Sequence, residues 1–292
     1  MRLCLSCKRP FAADSDAMPC PACGKAVDRI GNVPCYAPDL AHDSPGFRPE
    51  HFARLATLEE GHFWFRARNE LIVQVLRRYF PRARNMLEIG CGTGYVLRGV
   101  TRAQPELRVS GSEIFLEGLA FAAQRLPDAD LFQMDARRIP YENEFDLIGA
   151  FDVVEHIEED ERVLREIHRA LKPGGGAILT VPQHPWLWSE QDESACHVRR
   201  YKRRELTDKL RAAGFGILFS SSFVSLLLPM LAASRRRKRK PVGSADLGRE
   251  FNPPAIINSA LYHVLRLESL LIRAGVRFPV GGTRLVVATK AP

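Results

Sequence analysis

The sequence lacks the repeated long hydrophobic runs of a multi-spanning membrane protein. Its apolar stretch at residues 223–233 is eleven residues long and is interrupted by Pro229, whereas a spanning helix needs about 20 apolar residues. The first residues also lack the apolar core of a secretory signal peptide. We therefore expect a cytoplasmic protein and no multi-spanning membrane protein. With 46% hydrophobic and 26% charged residues over 292 positions, collagen-like and disordered chains are excluded as well.

The chain also lacks an evenly distributed charge of one sign. Its net charge is +8, and six of the positive residues are consecutive, from Arg235 to Lys240. Without that run the balance would fall to +2, so a protein that coats nucleic acid over its whole surface is not expected. The apolar stretch beside the run is typical of a segment that lies on an anionic membrane surface. The same run could instead contact RNA phosphates or form a solvated loop after a buried helix.

Four of the seven cysteines occur in two Cys-x2-Cys pairs, Cys4 with Cys7 and Cys20 with Cys23. Each pair can present two thiolates from one tight turn, and two such turns form a tetrahedral four-sulfur site. Redox pairs or disulfides are the less favoured alternative because the chain shows no export signal. We predict a structural Zn²⁺ site that stabilises residues 1–38, a segment too small to fold on a hydrophobic core of its own.

The residues that follow the second cysteine pair carry a first resemblance. The segment 20–34 reads Cys-Pro-Ala-Cys-Gly-Lys-Ala-Val-Asp-Arg-Ile-Gly-Asn-Val-Pro. It resembles the C-terminal half of a small zinc-binding family that includes the activator subunit of eukaryotic tRNA, rRNA and protein methyltransferases. The resemblance covers some 40 residues of this chain.

A glycine-rich turn follows the apolar segment 86–89. Gly90, Gly92 and Gly94 allow a ligand to approach the backbone closely and leave the N–H groups of a helix start pointing at it. A dinucleotide-binding turn is the obvious competitor. The Gly-x-Gly-x-Gly spacing and the acid before the first glycine, Glu88, both argue against that competitor.

Each of the next two predicted strands ends in an acidic residue, and these residues are spaced at nearly regular intervals. Glu113 lies 23 residues after Gly90, and Asp135 lies 22 residues further on. A carboxylate at the end of the second strand can accept the hydroxyl groups of a ribose. Strands that alternate with helices indicate a parallel sheet whose ligands bind at the carboxyl ends of its strands. The later strands are predicted at 145–152, 177–182, 217–219 and 284–289.

Together the motifs at 88–94, 133–135, 151–157 and 171–175 resemble the class I S-adenosylmethionine-dependent methyltransferases. The motifs at 62–69, 182–188 and 197–201 extend the resemblance to a bacterial type-11/12-like group. The resemblance implies an α/β Rossmann-like fold with a seven-stranded, mostly parallel sheet and helices on both faces. It also implies that S-adenosylmethionine is the methyl donor, bound by Glu88, Gly90, Cys91, Gly92, Gly94, Glu113, Ile114, Asp135, Ala136, Phe151 and Asp152.

Loops that follow the fifth strand supply candidates for catalysis and acceptor binding. The imidazole of His184 or His197 could remove a proton from a hydroxyl or an amine. Glu155 and His156 resemble metal-linked positions in some ubiquinone-pathway and small-RNA 2′-O-methyltransferases, but the remaining ligands of those families are not evident in this sequence, so a catalytic metal is not expected. The residues predicted to bind the acceptor are Trp64, Arg68, Arg199, Arg200 and Tyr201.

We divide the chain into a zinc knuckle, a linker with an N-terminal cap helix, the methyltransferase core, a helical insertion and the last core strand. The cap helix is expected to end near Pro81, and the insertion is expected to form a lid over the acceptor side. The segments are 1–38, 39–83, 84–223, 224–280 and 281–292.

Three functions remain open from the sequence. The favoured one is methyl transfer to an oxygen or nitrogen of a small molecule or a lipid-linked saccharide, with peripheral membrane contact through residues 223–240 at the inner face of the membrane. The second is RNA methylation, with the zinc knuckle and the basic run holding the RNA. The third is a non-catalytic protein that binds the donor or uses its zinc knuckle for interaction.

Overall fold

A nine-stranded sheet forms the centre of the described structure, a computed structural model that describes residues 1–12, 18–42, 48–237 and 253–292. The strand order across this sheet is β10-β11-β9-β8-β5-β6-β7-β4-β3. A separate two-stranded sheet pairs β1 with β2. The strands are β1 (Arg2–Leu3), β2 (Pro10–Phe11), β3 (Asp28–Ile30), β4 (Val33–Cys35), β5 (Asn85–Ile89), β6 (Arg108–Glu113), β7 (Asp130–Gln133), β8 (Phe145–Phe151), β9 (Leu171–Pro182), β10 (Phe215–Phe223) and β11 (Thr283–Lys290).

Helices connect these strands and cover both faces of the sheet. The α-helices are α1 (His51–Leu58), α2 (Phe63–Tyr79), α3 (Tyr95–Ala103), α4 (Leu116–Arg125), α5 (Asp160–Ala170), α6 (Glu190–Ser194), α7 (Glu205–Ala212), α8 (Leu228–Arg237) and α9 (Ala255–Arg273). Short 3-10 helices occur at Pro38–Leu40, Val154–His156 and Pro185–Leu187. Helix α2 ends two residues before Pro81, as its sequence predicts.

The core topology confirms the predicted Rossmann-like fold. Strands β9, β8, β5, β6 and β7 are parallel neighbours, and β11 is inserted antiparallel between β9 and β10. Helices α2, α3, α4 and α9 bury their apolar side chains on one face of the sheet, where Ile72 and Leu97 are fully buried. Helices α5 and α7 cover the other face with residues such as Leu164 and Leu210.

The sheet has two more strands than the seven predicted, because the N-terminal segment joins its edge. Strand β4 pairs in parallel with β7, and Cys35 lies opposite Gln133. The fully buried Gln133 side chain donates to the carbonyl of Ala37 at 2.8 Å and accepts from its N–H at 3.0 Å. Tyr36 packs edge-on against Phe132. The predicted zinc knuckle therefore continues the core sheet, and its last residues cover an edge that would otherwise expose unpaired backbone groups.

The insertion before the last strand folds back over helix α2. The N–H of Phe63 donates to Asn258 Oδ1 at 2.9 Å, and Asn258 Nδ2 donates to the carbonyl of Gly61 at 2.8 Å. Tyr262 donates to the carboxylate of Glu70 on α2. These contacts attach the first half of α9 to the first half of α2 and to the residues just before it. The basic run from Arg235 to Lys240 lies largely outside the described residues, since the structure describes the side chain of Arg235 but not those of residues 236–240.

Helix α9 is also the one helix in the described ranges that is long and apolar enough to cross a membrane. Its mean hydropathy reaches 1.3, and 28% of that window is buried within the protein. Leu265 and Ile272 point into the core, whereas Ile256 is 86% exposed. One such helix is weak evidence for a membrane span, because the core helices of soluble proteins can pass the same test.

Candidate active site

The carboxyl ends of β5, β6, β7 and β8 open into one large cavity of about 1120 Å³. We call it the central cavity. It extends from the glycine turn after β5, beneath α1 and the start of α2, to the residues that precede α9. Crevices at this edge of a doubly wound sheet are where such folds bind ligands. The position of the central cavity therefore follows from the topology.

The glycine turn between β5 and α3 requires glycine for steric reasons. Gly90, Gly92 and Gly94 have φ values of +65°, +51° and +75°, a region that side-chain-bearing residues rarely adopt. A Cβ atom on Gly90 would lie 2.5 Å from Cγ2 of Val153. Gly90 and Gly92 line the central cavity, whereas Gly94 caps α3 and packs against Ala122. The turn forms a cradle of bare backbone that fits the close approach of a donor molecule.

Glu113 ends β6 with its carboxylate held in a fixed orientation. It accepts hydrogen bonds from the N–H of Ile114 at 2.7 Å and the N–H of Gly92 at 3.1 Å. Burial raises the pKa of Glu113, although these two N–H donors act in the opposite direction. Carboxylate oxygens have further lone pairs, so Glu113 can also accept the hydroxyl groups of a ribose in the central cavity.

Glu88 is a second buried carboxyl in the same wall. It is 2% exposed and lines the central cavity, and its Oε2 has no hydrogen-bond partner among the described residues. Burial raises the pKa of Glu88 to about 8, against the opposing charge of Arg68. An orphaned carboxyl at this position fits a cationic ligand, and the donor carries both an ammonium and a sulfonium group.

Asp135 follows β7 and also lines the central cavity, together with Ala136. Its carboxylate accepts from the N–H of Arg137 at 2.9 Å and from the guanidinium of Arg137 at 3.0 Å. Phe151 and Asp152 lie at the end of β8 in the same lining. Of the eleven predicted donor residues, all but Gly94 therefore line the central cavity, Cys91 and Ile114 included.

Helix α1, which the sequence did not predict separately from its linker, closes the donor side. Glu59 accepts from the hydroxyl of Thr93 in the glycine turn at 2.8 Å and from the guanidinium of Arg125 at 2.5 Å. Phe52 lies 3.6 Å from the position that a Cβ on Gly92 would take. The buried ion pair between Glu59 and Arg125 holds the C-terminal end of α1 against the glycine turn.

Arg68 and Trp64 form the junction between the donor side and the rest of the central cavity. The Arg68 guanidinium is 2.5 Å from Asp152 and lies over the rings of Trp64 and Phe151. Trp64 and Arg68 are two of the five residues predicted to bind the acceptor, and both line the cavity. Asp152 adopts φ +57°, an uncommon backbone conformation for a non-glycine residue that aims it at Arg68.

A polar wall lies on the far side of the central cavity. We use this name for Glu155, His156, Asp192, His197 and Arg200, all of which line it. The Nδ1 atom of His197 is 2.9 Å from Asp192 Oδ1, which also accepts from Arg200 Nε at 2.7 Å. Burial alone would raise the pKa of Asp192, but its contacts with His197 and Arg200 hold that pKa at about 2.

The structure does not bring every predicted residue to the cavity. His184 is absent from the lining and stacks on Trp186, so its position does not support a role as a base. Tyr201 is fully buried and donates to Asp160 at 2.7 Å. Arg199 lies 2.8 Å from the same carboxylate. Tyr201 and Arg199 therefore contact the start of α5 and are not among the residues that line the cavity.

Sequence reasoning missed Asp192 and the proximity of His197 to Glu155. The N–H of Val198 donates to the carbonyl of Glu155 at 2.9 Å, and this backbone contact joins two segments about 40 residues apart. No spacing in the sequence indicates that pairing. The signal that was present is the capping box of α6, in which Ser189 and Asp192 bond reciprocally.

The four cysteine sulfurs of the N-terminal segment form a separate group. The Sγ atoms of Cys4 and Cys23 are 3.6 Å apart, and those of Cys7 and Cys20 are 3.7 Å apart. Sulfurs bound to one zinc ion at about 2.3 Å lie about 3.8 Å from each other. The N–H groups of residues 8 and 24 close the two turns onto the carbonyls of Cys4 and Cys20 at 2.8 Å. This arrangement fits a tetrahedral Zn²⁺ ion.

Comparison with known proteins decides the family. A family model described as a methyltransferase domain matches residues 62–218, more than half of the chain. The chain belongs to this methyltransferase family. The matched range contains the glycine turn, Glu113, Asp135 and the polar wall, so the methyltransferase domain includes most of the central cavity.

Individual relatives agree with that assignment. A probable S-adenosylmethionine-dependent methyltransferase of Mycolicibacterium smegmatis is 30% identical over 166 residues, which cover 55% of this chain and 62% of that protein. A demethylmenaquinone methyltransferase of Thermotoga maritima is 31% identical over 117 residues, covering 40% and 48% of the two chains. The methyltransferase chain thus spans less than two thirds of the length of these relatives.

A solved structure shares the fold. Phosphoethanolamine N-methyltransferase 2 of Haemonchus contortus, in complex with S-adenosyl-L-methionine, superposes with a TM-score of 0.52. The match is 21% identical and covers 77% of this chain and 53% of that one. At this identity the similarity shows the fold of the methyltransferase domain alone.

Proposed function

We propose that this protein transfers the methyl group of S-adenosylmethionine to an oxygen or nitrogen atom of a small molecule or a lipid-linked saccharide. One observation carries the proposal: the central cavity holds the glycine turn and Glu113 at one end and an apolar chamber with a polar wall at the other. Its volume of about 1120 Å³ exceeds the usual range for a single ligand site of about 300–1,000 Å³. There is room for donor and acceptor together.

The reaction asks the protein mainly for positioning. A lone pair of the acceptor attacks the methyl carbon in line with its bond to sulfur. That bond breaks, and its electron pair neutralises the sulfonium to give S-adenosylhomocysteine. The acceptor atom then loses its proton. Holding both reactants in line and excluding water supplies most of the acceleration, and α1 and α2 close the cavity over the donor.

The proton of the acceptor leaves towards the polar wall. Of the two histidines predicted as bases, only His197 lines the central cavity. Asp192 holds its Nδ1 side and leaves Nε2 as the atom that can face an acceptor. His197 is therefore the candidate base of this proposal. Arg68 and Arg200 line the same space and can bind an anionic group of the acceptor.

The chamber between the donor side and the lid is apolar, which favours an apolar or lipid-linked acceptor. Aromatic side chains from the start of α2 and aliphatic ones from α8, from the residue before α8 and from α9 line it. These residues are Phe63, Trp64, Phe65, Leu227, Met230, Leu231 and Leu261. The Thermotoga maritima relative is named for a quinone acceptor of this apolar kind. RNA acceptors favour stacking platforms inside a broadly basic surface.

We propose further that the lid touches the inner face of the cytoplasmic membrane. Leu226 and Met230, at the start of the lid, are 42% and 50% exposed, and Ile256 and Ile257 extend the apolar surface on α9. Apolar side chains next to a basic run are suited to an anionic interface. This contact would deliver a lipid-linked acceptor to the cavity that the same segment lines.

We also propose that Zn²⁺ occupies the four-cysteine site and has a structural function. Four thiolates leave no open coordination position. The ion would stabilise the turns that lead into β3 and β4, and through them the edge of the core sheet.

The experiment is methyl transfer from donor labelled in its methyl group. Full-length protein is incubated with fractionated cell extract, and label is counted in lipid, small-molecule and RNA fractions. We expect label in the lipid or small-molecule fraction, and lower transfer by Trp64→Ala. Label confined to RNA would overturn the acceptor class, and no label in any fraction while donor binds would favour a non-catalytic donor-binding protein.

Sedimentation with anionic and neutral vesicles tests the membrane contact. We expect binding to anionic vesicles that weakens with added salt and with a Met230→Glu substitution. Equal recovery in the supernatant with and without anionic vesicles would contradict it.

A further inference from the structure

Three potential metal ligands meet in the polar wall. One ligand atom each of Glu155, His156 and His197 lie within 4.8 Å of one another. The Nε2 atom of His197 is 4.0 Å from Glu155 Oε1. Two atoms that each bind an ion at about 2.1 Å are separated by at most about 4.2 Å. Side-chain shifts of under about 1 Å would close this group on a single ion.

Glu155 supplies an independent indication. Its side chain is completely buried, yet neither carboxylate oxygen has a hydrogen-bond partner in the described part of the chain. Buried carboxylates are normally paired, hydrogen-bonded or bound to a metal, because an isolated one is costly in an apolar environment. The nearest cationic candidate is His197 at 4.0 Å, too far for a hydrogen bond. A cation in the wall would satisfy both oxygens.

The residues next to these three potential ligands form the kind of hydrogen bonds that surround the ligands of known metal sites. Asp192 contacts Nδ1 of His197 at 2.9 Å and is itself held by Arg200 at 2.7 Å. A carboxylate on the far nitrogen of a histidine fixes the ring and directs its other nitrogen at a metal. The backbone bond between Val198 and Glu155 fixes the spacing of the two segments. These contacts hold the side chains of the three potential ligands close together in the absence of an ion.

We propose that Glu155, His156 and His197 bind a divalent transition-metal ion in the wall of the central cavity. Two imidazoles and one carboxylate suit first-row transition ions better than Mg²⁺ or Ca²⁺, which prefer oxygen ligands. Three protein ligands leave coordination positions open. Because all three residues line the cavity that also holds Glu113 and Asp152, an open position faces the space assigned to the acceptor.

The consequence for catalysis rests on the proposed methyl transfer. A bound divalent ion lowers the pKa of a coordinated hydroxyl group, so the ion would bind an acceptor through oxygen and help to release its proton. His197 would then act as a ligand and not as the base. The proposal thereby narrows the acceptor to one with a hydroxyl group next to the methylated position or at it.

Cobalt binding tests the site without reference to activity. Metal-free protein is first given one equivalent of Zn²⁺ per chain, which the four thiolates bind in preference to a site with three ligands, and is then dialysed against Co²⁺ and analysed for both metals. We expect about one Co²⁺ per chain in addition to zinc. Glu155→Gln and His197→Gln should each weaken Co²⁺ binding at least tenfold, whereas His184→Ala, which alters a histidine outside the cavity, should leave it unchanged.

Two outcomes would overturn the metal site: no Co²⁺ beyond displaced zinc, or equal Co²⁺ binding by all variants. Titration with S-adenosylhomocysteine shows whether each variant is folded and retains its donor site. A Glu155→Asp variant, which keeps the carboxylate, covers the case in which Glu155→Gln does not fold. If Co²⁺ binds but no extract fraction is methylated, the metal site stands and the proposed reaction fails. If methyl transfer persists without metal in every variant, the ion has no function in the reaction.

Discussion

Glu88 makes donor binding depend on pH in a way that the structure specifies. Burial raises the pKa of Glu88 to about 8 in the unliganded protein, well above the ordinary value of 4.5. The carboxyl is therefore mostly neutral at pH 6. A donor that carries an ammonium and a sulfonium favours the ionised form, so its binding should release a proton from Glu88.

The size of the effect follows from the ionised fraction. With a pKa of about 8, Glu88 is ionised in about half of the molecules at pH 8 and in about 1% at pH 6. If the complex requires the charge, donor affinity falls about 50-fold between pH 8 and pH 6, or about 2.3 kcal/mol. The pKa of Glu113 is also raised, so a smaller slope of the same sign should remain when Glu88 is replaced.

Calorimetric titration with S-adenosylhomocysteine, which keeps the ammonium group, measures this dependence between pH 6 and pH 8.5. Wild-type protein should show rising affinity and proton release, and Glu88→Gln should lose most of both. Glu106→Gln, which alters an exposed carboxylate outside the cavity lining, is the matched control. An affinity that does not change with pH, or identical profiles for wild type and Glu88→Gln, would refute the reasoning.

Stability of the unliganded protein should change in the opposite direction. A carboxyl whose pKa is raised on folding favours the folded state at low pH, and that contribution is lost as pH rises from about 4.5 to about 8. For a fully buried group the pKa difference corresponds to roughly 4 to 5 kcal/mol at most. Glu88→Gln should therefore be more stable than wild type at pH 8 and similar to it near pH 4.5, measured by urea unfolding.

Three further predictions concern residues around the cavity. Gly90→Ala should fold but bind donor at least tenfold more weakly, because its Cβ would meet Val153 at 2.5 Å and its φ is +65°. Donor titration measures this, and an unchanged affinity would show that the glycine turn does not contact the donor. Tyr201→Phe should lower the free energy of unfolding in urea by about 1 to 3 kcal/mol because Asp160 loses a buried hydrogen bond of 2.7 Å, while donor affinity stays unchanged. A loss of activity without a loss of stability would instead indicate that Tyr201 acts in the reaction. Cys20→Ser should remove one zinc per chain by metal analysis and lower the melting temperature; full zinc content in the variant would exclude the four-cysteine site.

The sequence predicted the strands, helices and glycine turn on the donor side because the information for them is local. The glycine turn, the acids that close β6 and β7, and the strand–helix alternation all lie within short segments, and the parallel topology brings their ends together. The pairing at the edge of the sheet could not be predicted in this way. Strand β4 is only three residues long, and its pairing with β7 depends on the Gln133 side chain, which no local pattern indicates.

The far side of the cavity could not be predicted for a related reason. The residues at 155–156 and 192–200 meet through one backbone hydrogen bond and the ion pairs of Asp192. Tyr201 lies next to Arg200 in the chain, yet one is buried against α5 and the other lines the cavity. A loop without periodicity gives no indication of which of its side chains point inward, so the sequence alone does not distinguish the position of Arg200 from that of Tyr201.

A crystal structure with S-adenosylhomocysteine tests the central claim most directly. The account predicts one molecule in the central cavity, with its ribose hydroxyls bonded to Glu113, its amino acid portion beside Gly90 and Glu88, and its sulfur directed towards Arg68 and the polar wall. An empty cavity at saturating ligand, or a ligand bound with its ribose away from Glu113, would contradict the assignment of the donor site and the reaction built on it.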